Sequence, residues 1–487
     1  MFRILTATAM LMAGAAAAQD SVRIAIQLEP PNLDPTGGAA QAIDSVLYSN
    51  VFEGLTRFEA DGSVVPGLAQ SWEISDDGLT YTFRLREGVT FHDGTTMDAE
   101  DVKFSYDRAM AEDSINAQKG LFADIAEVTV IDPATVEVTL SRPNGSFLFN
   151  MAWGDAVIVA PESVDDIASD PVGTGAFMFD RWVQGDRIEL VRYEGYWGEA
   201  PALARATFRF IADPTAAFAA VMAEDVDAFV GFPAPENLVQ FEADPRFQVL
   251  VGNTEGETIL AMNNAVAPFD DPLVREAVAL AIDRQAIIDG AMFGQGTPIG
   301  THFAPHNPDY LDLLDLSPHD PDRARDLLAE AGLPDGFATT LKLPPPSYAR
   351  RGGEIIASQL REVGIEADIQ NIEWAQWIEE VFTNGDFGLT IVSHTEPMDI
   401  GIYADPDYYF AYDNPDFRDV MEALSATTDP AARTDLLHRA QTIIAEDHVN
   451  AYLFELAIPT VAQAGLRGLW LNQPTAAVDL TGVSWAE

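Results

Sequence analysis

Between residues 352 and 393 helical and strand patterns alternate without a break: a helix over 352–363, a strand over 365–372, a helix over 374–383 and a strand over 387–393. Strands separated by helices are brought side by side by crossover connections, so this stretch is constrained to an α/β lobe. Helices precede it. "DDPLVREAVALAIDRQAII" puts Pro272 at a first helical position, with Val274, Ala277, Val278, Ala281 and Ile282 on one face. Asp320-Pro321 opens another helix, closed by Gly332.

The first half is built differently. "SVRIAIQLEPPNLDPT" is a strand running into a Pro-rich loop, 46–58 has a helical pattern, and 64–91 is strand-rich. Leu79, Tyr81, Phe83 and Leu85 alternate with polar residues, which predicts a strand with one buried face. Asp98, with Asp101 three residues on, starts a helix whose apolar stripe is Val102, Tyr106, Ala109 and Met110. Strands at 127–131 and 135–140 flank Asp132-Pro133-Ala134, and 171–192 reads as a Gly turn and two strands joined near Gln184-Gly185. There is no solenoid repeat and no low-complexity linker.

At 487 residues the chain exceeds a single core, and two or three domains are expected. Its 27 basic and 77 acidic residues give a formal charge of −50, which argues against nucleic acid or an anionic membrane as partner. The acids are spread along the chain, as a solubilising surface requires. Residues 1–18, ending in Ala16-Ala17-Ala18, fit a secretory signal peptide cleaved before Gln19, and no other segment is apolar for long enough to span a bilayer. Cysteine is absent, which excludes disulfides, thiol catalysis, Cys-ligated metal and a lipidated N-terminal Cys. A soluble, monomeric periplasmic protein without a lipid anchor is the expectation.

Catalytic signatures are missing. No His-Glu-x-x-His, Gly-x-Ser-x-Gly or Walker A sequence occurs, and "GTGAFM" at 173–178 lacks the third Gly of a dinucleotide fingerprint. His302 and His306 have the spacing of helix-borne ligands, but "FAP" between them makes the segment a loop. His92, beside Asp93-Gly94, reads as turn chemistry. Neither an enzyme, nor a metal site, nor a cofactor is expected.

"PGLAQSWEISDDGLTYTFRLREGVTFHDGTTMDAEDVKFSYDR" (66–108) closely resembles the signature region of the extracellular solute-binding proteins of peptide-type ABC importers, family 5. "PVGTGAFMFDRWVQGD", "NNAVAPFDDPLVREAVALAIDRQAII", "HDPDRARDLLAEAGLPDGF" and "TDPAARTDLLHRAQTIIAEDHVNAYLFE" continue the likeness in order over nearly the whole mature chain. The resemblance implies a two-lobed clamshell of α/β class with an extra strand-rich domain inserted in the first lobe. Mapped here, lobe one is 20–46, 169–258 and 468–487, the insertion is 47–168, and lobe two is 259–467. It also implies a periplasmic substrate-binding component of an ABC importer, capturing a small zwitterionic peptide-like or amino-acid-derived solute by cleft closure. Permease subunits at the inner membrane would be its partners. The alternative within the family is a nickel or metal-chelate binder using His394.

In open α/β sheets ligands sit outside the carboxyl ends of strands. The strand at 387–393 ends in "HTEPMDIGIYADPDYYF", which brings His394, Glu396 and Asp399 together, followed by Tyr403, Tyr408 and Tyr409. Peptide-binding relatives read Gly-Trp-x-x-Asp in this loop, and their Asp takes the peptide's α-amino group. Here Ser393-His394 replaces Gly-Trp and the Asp position falls near Pro397, which leaves Glu396 or Asp399 as ammonium partner. A solute other than a generic dipeptide is expected, with His394 as a hydrogen-bonding partner. Arg350 and Arg351 stand where dipeptide binders place an Arg for the ligand's carboxylate. Glu29 and Asn32 follow the first strand and could line the cleft, as could the backbone of "GTGAF" (173–177). Trp153, Trp374 and Trp377 fit core and cleft equally.

Overall fold

The computed structural model describes residues 19–37 and 40–486, so the signal-peptide segment lies outside the described residues. Its main feature is an eleven-stranded sheet. Ten strands follow one path in the order 365–371, 337–343, 389–394, 247–262, 450–463, 228–229, 21–26, 205–210, 187–192 and 177–183, and Thr297–Pro298 joins the side of 450–463. At one end 337–343 runs parallel to both its neighbours, and at the other 21–26 does the same. Between these parallel groups lie two long antiparallel strands, Phe247–Met262 and Asn450–Gln463.

These two strands join separate cores. Leu260, Met262, Leu453 and Phe454 pack with Leu341, Leu389 and the helices Pro272–Leu280 and Ser347–Glu362. The other face of that group holds Ile259, Tyr452 and the rings of Tyr403, Tyr409 and Phe410. Farther along, Phe247 and Val461 pack with Ala25 and Phe229, while Ala462 packs with Ile24 and Phe208. Each end of the sheet therefore carries apolar packing on both faces. Between the two groups, the paired strands break register between Asn253 and Glu257. A bulge there bends the ladder where the chain passes from one core to the other.

A third core belongs to residues 55–160. A four-stranded antiparallel sheet, ordered 69–74, 80–85, 135–140 and 125–132, buries Tyr81, Phe83 and Leu85 against helix Ala99–Met110. The alternation read from the sequence is thus one buried face. Asp98 caps that helix and forms the reciprocal capping box with Asp101.

Two element readings are corrected. The helix expected over 46–58 is instead Gln41–Leu47, followed by a turn at Ser49 with φ 60° and a short strand Thr56–Phe58. Almost every residue from 46 to 58 is buried, so the apolar content there reflects enclosure on all sides rather than one helical face. The helix expected from 352 begins at Ser347, which puts Arg350 at the end of its first turn and Arg351 at the start of its second.

His92 is a clamp. Its Nε2 lies 2.9 Å from the Gly175 carbonyl oxygen and its Nδ1 accepts from Gly173 N at 3.3 Å. Burial pushes its pKa down to about 4. A Cβ at Gly175 would stand 2.4 Å from the Asn50 carbonyl oxygen, so only glycine permits this close approach.

Candidate functional site

A cavity of about 590 Å³ opens where the two long strands bend. Thr254, Glu255 and Leu456–Pro459 of those strands form its floor. One wall comes from segments that leave parallel strands at their carboxyl ends: Gln27 after Ser21–Ile26 and Gly231–Pro233 after Ala228–Phe229. The opposite wall has Met292, Gln295 and Thr395–Pro397, the last group directly after strand Leu389–His394. Residues Gln41 and Asp44, Gln118, Trp153 and Asp155, and Gln473–Ala476 complete the lining. The site thus obeys the strand-end rule from both sides of the cleft.

Its electrostatics are one-sided. Asp44, Asp155, Glu255 and Glu396 line the cavity, accompanied by glutamines, and among the described residues no arginine or lysine does. Burial, reinforced by the charge of Asp155, pushes Asp44 up to about 8, and burial pushes Asp155 up to about 7. Glu255 is also raised by burial, partly offset by His306. Asp44 Oδ1 and Asp155 Oδ1 are buried with no hydrogen-bond partner among the described residues, as is the indole Nε1 of Trp153. A Cβ at Gly154 would stand 2.3 Å from Asp44 Oδ1, so the glycine lets the Trp153–Asp155 turn close onto that carboxylate. Two carboxyl groups, each with one unpartnered oxygen, beside an indole ring suit a cation with N–H donors.

The sequence-derived candidates distribute unevenly around this cavity. Glu396 lines it. His394 and Asp399 lie behind it: Asp399 Oδ1 is 2.6 Å from His302 Nε2 and Oδ2 is 3.2 Å from His394 Nδ1. Burial opposes ionisation of Asp399, and the two rings outweigh it, holding the carboxyl well below the usual range. Tyr403 is buried with its hydroxyl 3.2 Å from His302 Nδ1, and Tyr408 packs edge-on against Phe382. Glu29 accepts from Trp182 Nε1 at 2.9 Å and Gly185 N at 2.8 Å, and Asn32 Oδ1 accepts from Asp34 N at 2.9 Å. Both are engaged in loop structure away from the lining. Arg350 Nη2 donates to the Ile372 carbonyl at 3.1 Å and pairs with Glu373 at 3.2 Å, while the Arg351 guanidinium lies 5.1 Å over the Phe293 ring. In the Gly turn, Gly175 N donates to the Val51 carbonyl at 2.9 Å. Trp377 is core, donating to Thr390 Oγ1 at 2.9 Å, and Trp374 is partly exposed.

The profile of the bacterial extracellular solute-binding proteins, family 5 Middle, matches residues 63–416. The chain belongs to this family. Its proteins are periplasmic, bind small molecules or peptides and work with the permease components of ABC importers. Glutathione-binding protein GsiB of Salmonella paratyphi A is 31% identical over 484 residues, covering 95% of this chain and 94% of that one. HbpA2 from Haemophilus parasuis superposes with a TM-score of 0.87 at 24% identity, over 96% of this chain and 100% of that one. A nickel ABC transporter structure from Bacillus halodurans superposes at 0.84 with 25% identity, over 96% and 100%. The two-lobed family fold accounts for the eleven-stranded sheet and its pair of crossing strands. Among the described residues, no helix is long and apolar enough to cross a membrane.

Asp44, Asp155 and Glu255 were not among the residues singled out from the sequence. Glu255 lies in the polar stretch Asn253–Thr258 between the apolar ends of its strand, beside a second acid, Glu257. Asp44 and Asp155 are 111 positions apart and carried no signal (155 − 44 = 111).

Proposed function

We propose that this family member captures a small amino-acid-derived or peptide-like solute that carries an ammonium group, and whose positive charge at least equals its negative charge. The observation that carries this reading is the lining itself: four carboxylates, two of them with buried unpartnered oxygens, and no arginine or lysine. Asp44 and Asp155 would receive the ammonium group beside the Trp153 ring, with Glu396 approaching from the opposite wall. Glutathione, named for the GsiB relatives, brings two carboxylates and one ammonium and suits such a lining poorly.

Capture would proceed by closure about the bend in the two long strands, shifting the population from open to closed. The lobes and insertion would divide as 20–46, 169–258 and 468–487, then 47–168 and 259–467. Closure would bring Arg350 and Arg351, which stand outside the cavity, against the solute's carboxylate end. A monomer, exported by its signal peptide and without enzymatic activity, is the form that would deliver the solute to a permease.

Calorimetric titration with lysyl-lysine, trialanine and glutathione tests the reading. Lysyl-lysine is expected to bind most tightly and glutathione least. Glutathione binding tenfold more tightly than lysyl-lysine would refute it.

A further inference from the structure

Behind the cavity floor, three neighbouring strands present His394, Glu257 and Glu455 in one row. Glu257 is the register partner of both His394 and Glu455, so all three side chains point to the same face of the sheet. Glu257 is 3% exposed and its Oε2 has no hydrogen-bond partner; Glu455 is fully buried and neither of its oxygens has one. The charges that reach Glu257 most strongly are those of Glu455, Asp399 and Glu255, all acidic. Buried unpaired carboxylates are costly, and a cation is one way to satisfy them.

Beside this row stands a preformed set of donors. One ligand atom each from His302, His394 and Asp399 lie within 4.8 Å of one another. The other nitrogen of each ring is held by a tyrosine: His302 Nδ1 is 3.2 Å from Tyr403 Oη, and His394 Nε2 is 3.1 Å from Tyr409 Oη. Tyr403 Oη in turn accepts from Asn450 Nδ2 at 3.0 Å. Outer hydrogen bonds of this kind fix which ring nitrogen faces inward, as they do around metal-ligating histidines. Glu257, His302 and Asp399 also border one small gap, which brings the Glu257 residue to the edge of the set.

We propose that His302, His394, Asp399 and Glu257 form a binding site for one divalent ion of the zinc type, resident beneath the solute cavity and distinct from it. Two imidazole nitrogens with two carboxylates suit Zn²⁺, Co²⁺ or Ni²⁺ better than the all-oxygen preference of Ca²⁺ or Mg²⁺. With Glu257 completing the three grouped donors, the buried site would be closed and structural rather than one that holds cargo. The ion would tie strand Phe247–Met262 to the His302 loop and to the turn Asp399–Ala404, whose approach segment Thr395–Pro397 lines the cavity. The inference does not depend on which solute the cavity takes.

The full-length mature protein, stripped with chelator and dialysed, is titrated with Zn²⁺ alone at pH 7. One ion per chain by elemental analysis and a raised melting temperature are expected. H394Q and D399N are each expected to weaken binding roughly 100-fold or more, and H319Q, a histidine outside the cluster, to leave it unchanged. Should the buried variants fail to fold, Co²⁺ added to the wild type decides. Intense visible d–d bands of a tetrahedral histidine–carboxylate site support the proposal, and the weak bands of aqueous Co²⁺ alone overturn it. Sub-stoichiometric Zn²⁺ uptake, or binding unchanged in a folded D399N, also overturns it.

Discussion

Burial, with the neighbouring charge of Asp155 added to it, pushes the pKa of Asp44 up to about 8. Asp155 itself stands at about 7. Both groups keep protons in the folded chain at pH values where an unfolded chain, with aspartates near 3.8, has released them. The contribution of this pair to the stability of the solute-free protein therefore falls as pH rises from about 4 to about 8. An ammonium solute favours the charged carboxylates and reverses that preference. Lysyl-lysine should thus bind more tightly as pH rises from about 6 to 8, with net release of protons. Calorimetry in buffers of different ionisation enthalpy measures the release, which should vanish in a D44N/D155N variant. Proton uptake on binding would count against the assignment.

The clamp at His92 gives a second pH dependence of the opposite sign. Its folded pKa of about 4 lies below the ordinary 6.5, so the unfolded chain binds the extra proton first as pH falls. The stability it secures is present above 6.5 and declines towards pH 4, by up to about 2–3 kcal/mol. Urea melts of H92Q should show a smaller loss of stability between pH 6.5 and 4 than wild type does. An identical pH dependence in both proteins would contradict this role.

Much of the fold was legible because local patterns and global packing agree. The Leu79–Leu85 alternation, the Asp98 cap and Pro272 at a helix start each name their structure within a few residues. The segment after Gln41 was not legible in this way, because enclosure on every side erases the amphipathic period. The site was readable only where it sits at a single strand end. Glu396 is such a residue: "HTEPMD" was singled out because it follows a strand end, and of its three charged or ionisable side chains Glu396 lines the cavity. What the sequence could not supply was the partner of Asp399: His302, 97 positions away, belongs to a loop whose nearer histidine, His306, lies instead beside Glu255 at 2.8 Å. Glu455 stands as a charge within an apolar strand and Glu257 within a polar stretch, and their pairing depends on long-range register.

Arg350 and Arg351 provide a test of closure. If they meet the solute's carboxylate only in the closed form, R350A/R351A should weaken lysyl-lysine binding by ~1.5–3 kcal/mol, as for a lost charge-assisted hydrogen bond. Binding of lysyl-lysine amide should be unaffected. Equal losses for both probes in calorimetry would assign the effect to structure instead, since Arg350 also anchors the Ile372 carbonyl.

The most direct measurement is to denature freshly purified protein and identify the small molecule it releases by mass spectrometry. A cavity lined by Asp44, Asp155, Glu255 and Glu396 and by no basic side chain predicts an amine-bearing solute of zero or positive net charge. Recovery of glutathione, or of any other solute with net negative charge, in stoichiometric amount would contradict it.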